Sequence, residues 1–386
     1  MSADKFREDA ERGDATAQYN LAVLCYLGDG VPQDYGEALR WYAAAAEQGH
    51  RNAQFNLALM LHQGKGCEKD EQKAAEWYQK AAVQGHVNAQ FNLALMHQQG
   101  TGVPTDLQKA VELYRHAANA KHANAAFNLA LLYHQGNGVP QSYGDAAEWY
   151  TVAADGGHAT AQFNLALLYH QGKGVPHDPI RAATYYKMAS EQAHPVATFN
   201  LAMMLHHGDG IRPSPQEAAF LYHKVAQKGH PTAAFILGTM YMQGDGVEID
   251  HQQSGRWFEE AAKQGHMKAQ YQLGLKFRKG EGCPPNPVQA ARWIGAAADQ
   301  GYPKALFTLA QMLQAGEGIP KDPKLAAECY RKAGEMGHAT SQFALAEMYE
   351  SGDGVEKSEE EAARWYAKAA KQGHTKAIKH LTLLHE

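Results

Sequence analysis

An all-α solenoid is the fold class predicted by this 386-residue sequence, and three observations predict it. Gly-x-Gly pairs open at Gly28, Gly64, Gly100, Gly136, Gly172, Gly208, Gly244, Gly280, Gly316 and Gly352, each 36 residues after the last. A period of that length without insertion marks stacked supersecondary units rather than separate domains. Within each period two stretches carry apolar residues at helical spacing, and helix-start and helix-stop residues bracket each of them. The expectation is a single solenoid over residues 1–386: a capping helix in 1–13, ten helix-pair repeats in 14–373, and a second capping helix in 374–386.

The first cap is a degraded second half of a repeat, with Lys5-Phe6 where later repeats carry Trp-Tyr, and Gly13 ends it. The first full repeat starts at Asp14, and its first helix is expected to reach about Leu27, with Ala17, Leu21 and Cys25 as a buried stripe. Gly28 then supplies the left-handed residue that closes the helix. Second helices open at Asp34, Asp70, Asp106, Ser142, Asp178, Ser214, Asp250, Asn286, Asp322 and Ser358, all preferred N-cap residues. Pro179, Pro215, Pro287 and Pro323 follow at the first helical position, and Ser214/Glu217 and Ser358/Glu361 have the spacing of capping boxes. Ala38, Trp41, Tyr42, Ala45 and Ala46 form the buried face of the second helix. Glycines from Gly49 to Gly373 end these helices, except where Lys121 and Ala193 break the column and predict strained turns.

Composition narrows the function class. The formal net charge of −5 lacks the basic surplus that tracks phosphate backbones, so no nucleic-acid partner is expected. No apolar run is long enough for a membrane span, and the opening MSADKFREDAERGD lacks the apolar core of a signal peptide, so a cytoplasmic location is expected. The four cysteines occupy apolar columns: Cys67 and Cys283 in the slot of Val31 and Ile211, Cys25 in that of Leu61, Cys329 in that of Trp41. They read as small core hydrophobes rather than bridges or metal ligands.

With the Gly-x-Gly pairs, Glu76-Trp77-Tyr78-Gln79-Lys80-Ala81-Ala82 and the Ala-Gln-Phe-Asn-Leu-Ala segments in hand, nearly the whole chain resembles the Sel-one-like repeat family, relatives of the tetratricopeptide repeat. The resemblance implies a right-handed superhelix whose first helices line the concave side, acting as an adaptor for protein partners. One branch of that family staples each repeat with a cysteine pair and includes members linked to β-lactam binding; the paired cysteines are absent here.

The candidate binding residues lie on a second stripe of the first helices. In three repeats it reads Asn52, Asn56, Leu59, Gln63, then Asn88, Asn92, Leu95, Gln99, then Asn124, Asn128, Leu131, Gln135, steps of four, three and four that share one helix face. Leu167 and Gln171, then Met203 and His207, continue it. Asn20, Asn56, Asn92, Asn128, Asn164 and Asn200 form a column, flanked by Phe55, Phe91, Phe127 and Phe163 and by His62, His134, His170 and His206. Mid-helix Asn is disfavoured by roughly 0.5 kcal/mol relative to Ala, so its recurrence needs a reason. Two fit: a hydrogen bond to the neighbouring repeat, or a ladder of amides that holds a peptide backbone in a groove over residues 14–210. From Ile236 onward the column decays.

His50, His86, His122, His158, His194, His230, His266, His338 and His374 form a single column, two of them followed directly by Pro195 and Pro231, and read as N-caps of the first helices rather than metal ligands. No Walker, dinucleotide, G-x-S-x-G or H-E-x-x-H pattern occurs, so neither enzyme activity nor a cofactor is expected. The resulting reading is a monomeric, non-enzymatic scaffold gripping a protein or extended peptide. Its rivals are an immunity-type inhibitor clasping a folded toxin or enzyme, and a β-lactam-binding or hydrolytic enzyme.

Overall fold

The computed structural model describes residues 3–384, and every regular element among them is an α-helix. Met1, Ser2, His385 and Glu386, assigned above to the two caps, lie outside the described residues. The chain divides into two compact units at the Ala197–Thr198 bond, inside the helix Pro195–His207. In each unit helices pack on their sequence neighbours, so every apolar face is buried by the helix before and the helix after.

The first repeat shows how its residues dictate this. Asp14 accepts a hydrogen bond from the Ala17 N–H at 2.6 Å, and the helix Ala15–Leu27 runs to Gly28, whose φ of 72° reverses the chain. Asp34 caps the helix Tyr35–Glu47 by accepting from the Glu37 N–H at 2.9 Å. The second Gly of a pair is needed for space as well as for its positive φ: a Cβ on Gly66 would lie 2.4 Å from the Tyr35 carbonyl oxygen of the preceding repeat. Lys121 and Ala193 adopt φ of 62° and 61°, the only non-glycine residues with positive φ among the described residues, at the two turns where glycine is missing.

One expected cap is not formed. The Ser214 side chain makes no capping hydrogen bond, and its ψ of 81° differs from the 110° and 108° at Ser142 and Ser358, whose hydroxyls do accept. That rotation carries the short hydroxyl away from the helix, so the Ser214/Glu217 box is not closed.

The N-terminal unit has a core of small residues interleaved with Tyr78, Tyr114 and Tyr150, each essentially without solvent contact. Cys25 and Cys329 are buried as their columns predict, whereas Cys67 and Cys283 are half-buried at the turns; all four are free thiols. Burial pushes the Cys25 thiol up to about 11.

Candidate functional site

The stripe singled out on the first helices remains accessible. In the N-terminal unit Asn20, Asn56, Asn92, Asn128 and Asn164 are half-buried, as are Leu59, Leu95, Leu131 and Leu167, while Gln63, Gln99, Gln135 and Gln171 are exposed. The flanking rings are less available. Phe55, Phe127 and Phe163 stack on His86, His158 and His194 of the following repeat, with centroids 4.4, 4.2 and 4.8 Å apart, and Phe91 packs on His122 in a tilted contact at 4.7 Å.

Those histidines are the N-caps. The Nδ1 of His50 accepts from the Ala53 N–H at 3.2 Å, and His86, His122, His158 and His194 repeat the bond, which requires a neutral Nδ1. Burial, first of all, lowers the pKa of His50, His86, His122, His158 and His194, and also of His266 and His338 in the C-terminal unit.

The asparagines meet the buried tyrosines. Asn128 Nδ2 donates to Tyr114 Oη at 3.1 Å, and Tyr114 Oη donates to Gln98 Oε1 at 2.7 Å. Asn56, Asn92 and Asn164 lie beside Tyr42, Tyr78 and Tyr150, and the Tyr78 hydroxyl has no partner in hydrogen-bond geometry among the described residues. Burial pushes Tyr78, Tyr114 and Tyr150 up to about 12, so these hydroxyls stay protonated as donors. An Asn amide offers two donors and a carbonyl oxygen, and one bond to tyrosine leaves the others for a ligand. The histidines of the stripe are tied similarly: His134 Nδ1 is 3.4 Å from Tyr150 Oη, and His62 Nδ1 is 2.6 Å from Glu71 Oε2. His170 lies edge-on to Tyr186.

In the C-terminal unit Asn200 is half-buried, Met203 is 38% exposed, and His206 stacks on the exposed His207 at 4.9 Å. His206 Nε2 is 2.7 Å from Asp245 Oδ2. Here Tyr222 is fully buried with no hydrogen-bond partner for its hydroxyl among the described residues, and Ile236 occupies the asparagine position. The next two tyrosine positions hold Phe258 and Ile294. The first helices facing them carry Gly238 and Gly274, where a Cβ would come within 2.8 Å of the Phe258 ring and 2.5 Å of Ile294 Cγ1.

Two inter-repeat networks escaped the sequence reading. Buried Gln54 donates to the Ala46 carbonyl at 3.1 Å and accepts from Gln84 Nε2 at 2.8 Å, and the same Gln–Gln link joins Gln18 to Gln48, Gln162 to Gln192, Gln270 to Gln300 and Gln342 to Gln372. The middle residue of a Gly-x-Gly turn also reaches back one repeat: Lys65 to Tyr26 at 2.8 Å, Asp245 to His206, and Glu317 to Arg278 in a bidentate pair at 2.8 and 2.6 Å. The recurring Gln of both motifs was the available signal for the first network; matched changes of residue type 39 positions apart were the signal for the second. Among the described residues no group of three or more His, Cys, Asp or Glu side chains is arranged to hold a metal ion, and no helix is long and apolar enough to cross a membrane.

The Sel1 repeat profile matches ten consecutive segments: residues 15–50, 51–86, 87–122, 123–158, 159–194, 195–230, 231–266, 268–302, 303–338 and 339–374. The chain belongs to the Sel1 repeat family. Among solved structures it is similar to a protective antigen with an SLR fold from uropathogenic Escherichia coli strains, at 33% identity and a TM-score of 0.82, covering 98% of this chain and 81% of that one. It is also similar to a Sel1 repeat protein from Oxalobacter formigenes, at 27% identity and a TM-score of 0.66, covering 85% of this chain and 93% of that one. A comparison with curated proteins finds no match. Sel1 repeat proteins generally mediate protein–protein interaction and are typically non-catalytic scaffolds.

Proposed function

We propose that this Sel1 repeat protein is a scaffold whose first-helix face in the N-terminal unit binds an extended segment of a protein partner. The observation that carries the reading is the repetition of one accessible set, Asn, Leu and Gln, on successive helices, with Asn128 using only one of its amide donors on Tyr114. Main-chain N–H and C=O groups are common to every peptide, and the free amide valences of Asn56, Asn92, Asn128 and Asn164 suit them. Leu59, Leu95, Leu131 and Leu167 supply apolar contact, and the exposed Gln63, Gln99, Gln135 and Gln171 supply further hydrogen bonds. Each such bond contributes about 0.5 to 1.5 kcal/mol net, so a row of four decides between micromolar and negligible affinity.

Site-specific photocross-linking tests this. A photoreactive residue at Gln99 is expected to cross-link a discrete protein partner in native lysate, whereas the same residue at exposed Glu112 on a second helix is not. Cross-linking of that partner from Glu112 and not from Gln99 would overturn the assignment of the face.

A further inference from the structure

The first-helix face changes chemistry in the ninth and tenth repeats. A depression of about 650 Å³ crosses three successive first-position helices, Pro303–Ala315, Ala339–Ser351 and Thr375–Leu384. It is open to solvent, with Glu347, Ser351 and Asp353 exposed at its rim. Its origin is in the sequence: Ala344 takes the asparagine position, and Ala315 and Ser351 take the positions of Gln63 and its equivalents. Shortening these side chains opens the space between Phe307 and Phe343, with Tyr330 also in the wall.

Two carboxylates enter the polar part of the lining. The column of Leu59, Leu95 and Leu131 becomes Gln311 and then Glu347, and Asp353 enters from the last Gly-x-Gly turn. Neighbouring Glu350 is already engaged, accepting from Tyr366 Oη at 2.7 Å with His380 Nε2 at 3.5 Å. By contrast, neither Glu347 nor Asp353 has an ion-pair partner within 4.0 Å among the described residues, and neither does Lys376, the one cation in the lining. Two carboxylates against one ammonium leave the lining net negative. The Glu347 carboxyl is pushed up, first by desolvation, with Lys376 and His380 acting against the shift and Glu350 adding to it.

We propose that this pocket receives a cationic side chain, the guanidinium or ammonium group of an arginine or lysine in a partner polypeptide. Glu347 and Asp353 meet the charge, and the alkyl stem lies along Phe307 and Phe343, whose rings favour a cation or its methylenes. The pocket lies outside the asparagine ladder and does not depend on it. Its ligand differs in kind: a charged side chain rather than a peptide backbone.

The test uses the full chain and the peptide Ac-Ala-Ala-Arg-Ala-Ala-NH2, with its citrulline counterpart as the neutral isostere and argininamide as the free small ligand, followed by backbone NMR shifts at Thr340, Ala344 and Glu347. The arginine peptide is expected to shift these signals saturably, at least roughly tenfold more tightly than the citrulline peptide, and more weakly as salt is raised. Glu347→Gln with Asp353→Asn should weaken it by a similar factor at unchanged helix content and melting temperature, since both side chains are exposed and unpaired. Asn128→Ala should leave it unaltered. Equal binding of the citrulline peptide, or full binding by the double variant, would overturn the cation assignment. Argininamide binding as tightly as the peptide would overturn the commitment to a polypeptide.

Discussion

In the N-terminal unit the buried tyrosines Tyr42, Tyr114 and Tyr150 each have an asparagine of the next repeat at their hydroxyl. In the C-terminal unit Tyr222 has Ile236 instead, and the column continues as Phe258 and Ile294. The two regions share one backbone plan, although the C-terminal unit lacks a side-chain cap at Ser214 and at Tyr302, so the difference shows which columns the fold requires and which it leaves free. The second glycines of the Gly-x-Gly turns are kept in both because a Cβ there would meet the backbone of the preceding repeat. The tyrosine–asparagine pairing is not kept: Phe258 and Ile294 make apolar contacts instead, while Tyr222 keeps a buried hydroxyl without a partner among the described residues, at a cost of about 1 to 3 kcal/mol.

The largest expected effect comes from removing a tyrosine of the bonded column. Tyr114→Ala should destabilise the N-terminal unit by about 3 to 5 kcal/mol, as large-to-small core changes do, read as lost amide-exchange protection in the helices Leu107–Asn119 and Ala123–Gln135. Protection unchanged there would mean that the column is not core. The converse lies in the C-terminal unit, where Lys276 takes a position otherwise held by Met or Leu, is 3% exposed, and donates only to the His251 carbonyl at 3.3 Å. Burial lowers its pKa, so the unfolded chain binds the proton more readily. Stability from this group is present above the unfolded value near 10.4 and is lost as pH falls through the folded value. At neutral pH Lys276→Met should therefore stabilise the C-terminal unit, by about 1 to 3 kcal/mol, and a drop in its melting temperature would contradict this.

Much of this architecture was legible in the chain itself, and the reason is local. Helix ends, the His and Asp caps, the positive-φ glycines and the strained Lys121 and Ala193 turns each depend on residues within a few positions, which a 36-residue period displays ten times. What was not legible depends on how one helix is seated on another. The bonds from Tyr114 to Asn128 and Gln98, and the Gln54–Gln84 link, join columns whose separation is set by packing, and no periodicity states it. Ser214 shows the same limit at short range, because residue type predicts a cap while a rotation of the backbone decides whether it closes. In the ninth and tenth repeats the loss of asparagine read only as decay; the structure turns Ala344 and Ser351 into the reason that a pocket exists.

Smaller effects sharpen the comparison. Lys121→Gly and Ala193→Gly should each stabilise by about 1 kcal/mol by relieving a left-handed conformation that costs a side chain 1 to 2 kcal/mol, offset in part by glycine's unfolded-state entropy. Chemical denaturation of each single variant checks it, and destabilisation by both would show the turns to be unstrained. The shallowest effect is a slope with pH. Imidazoles with lowered pKa contribute stability that is present above the unfolded value near 6.5 and shrinks as pH falls through the folded values. Six such rings lie in the N-terminal unit, His50, His86, His122, His134, His158 and His194, against His266 and His338 in the other. Exchange protection should therefore fall more in the N-terminal unit between about pH 6.5 and 5; an equal fall in both would remove the histidines as its cause.

The asparagine column lies against the buried tyrosines on one side, with Asn128 bonded to Tyr114, and is proposed to bond a ligand on the other. The direct measurement compares two quadruple variants in their affinity for the partner cross-linked at Gln99. One carries Ala at Asn56, Asn92, Asn128 and Asn164; the other carries Phe at Tyr42, Tyr78, Tyr114 and Tyr150. Both act on the boundary between the asparagine and tyrosine columns, but only the first removes the amides. Binding lost in the asparagine variant and retained within about threefold in the tyrosine variant is the predicted result. Equal retention of binding in both, at equal loss of stability, would show that the amides serve the fold alone.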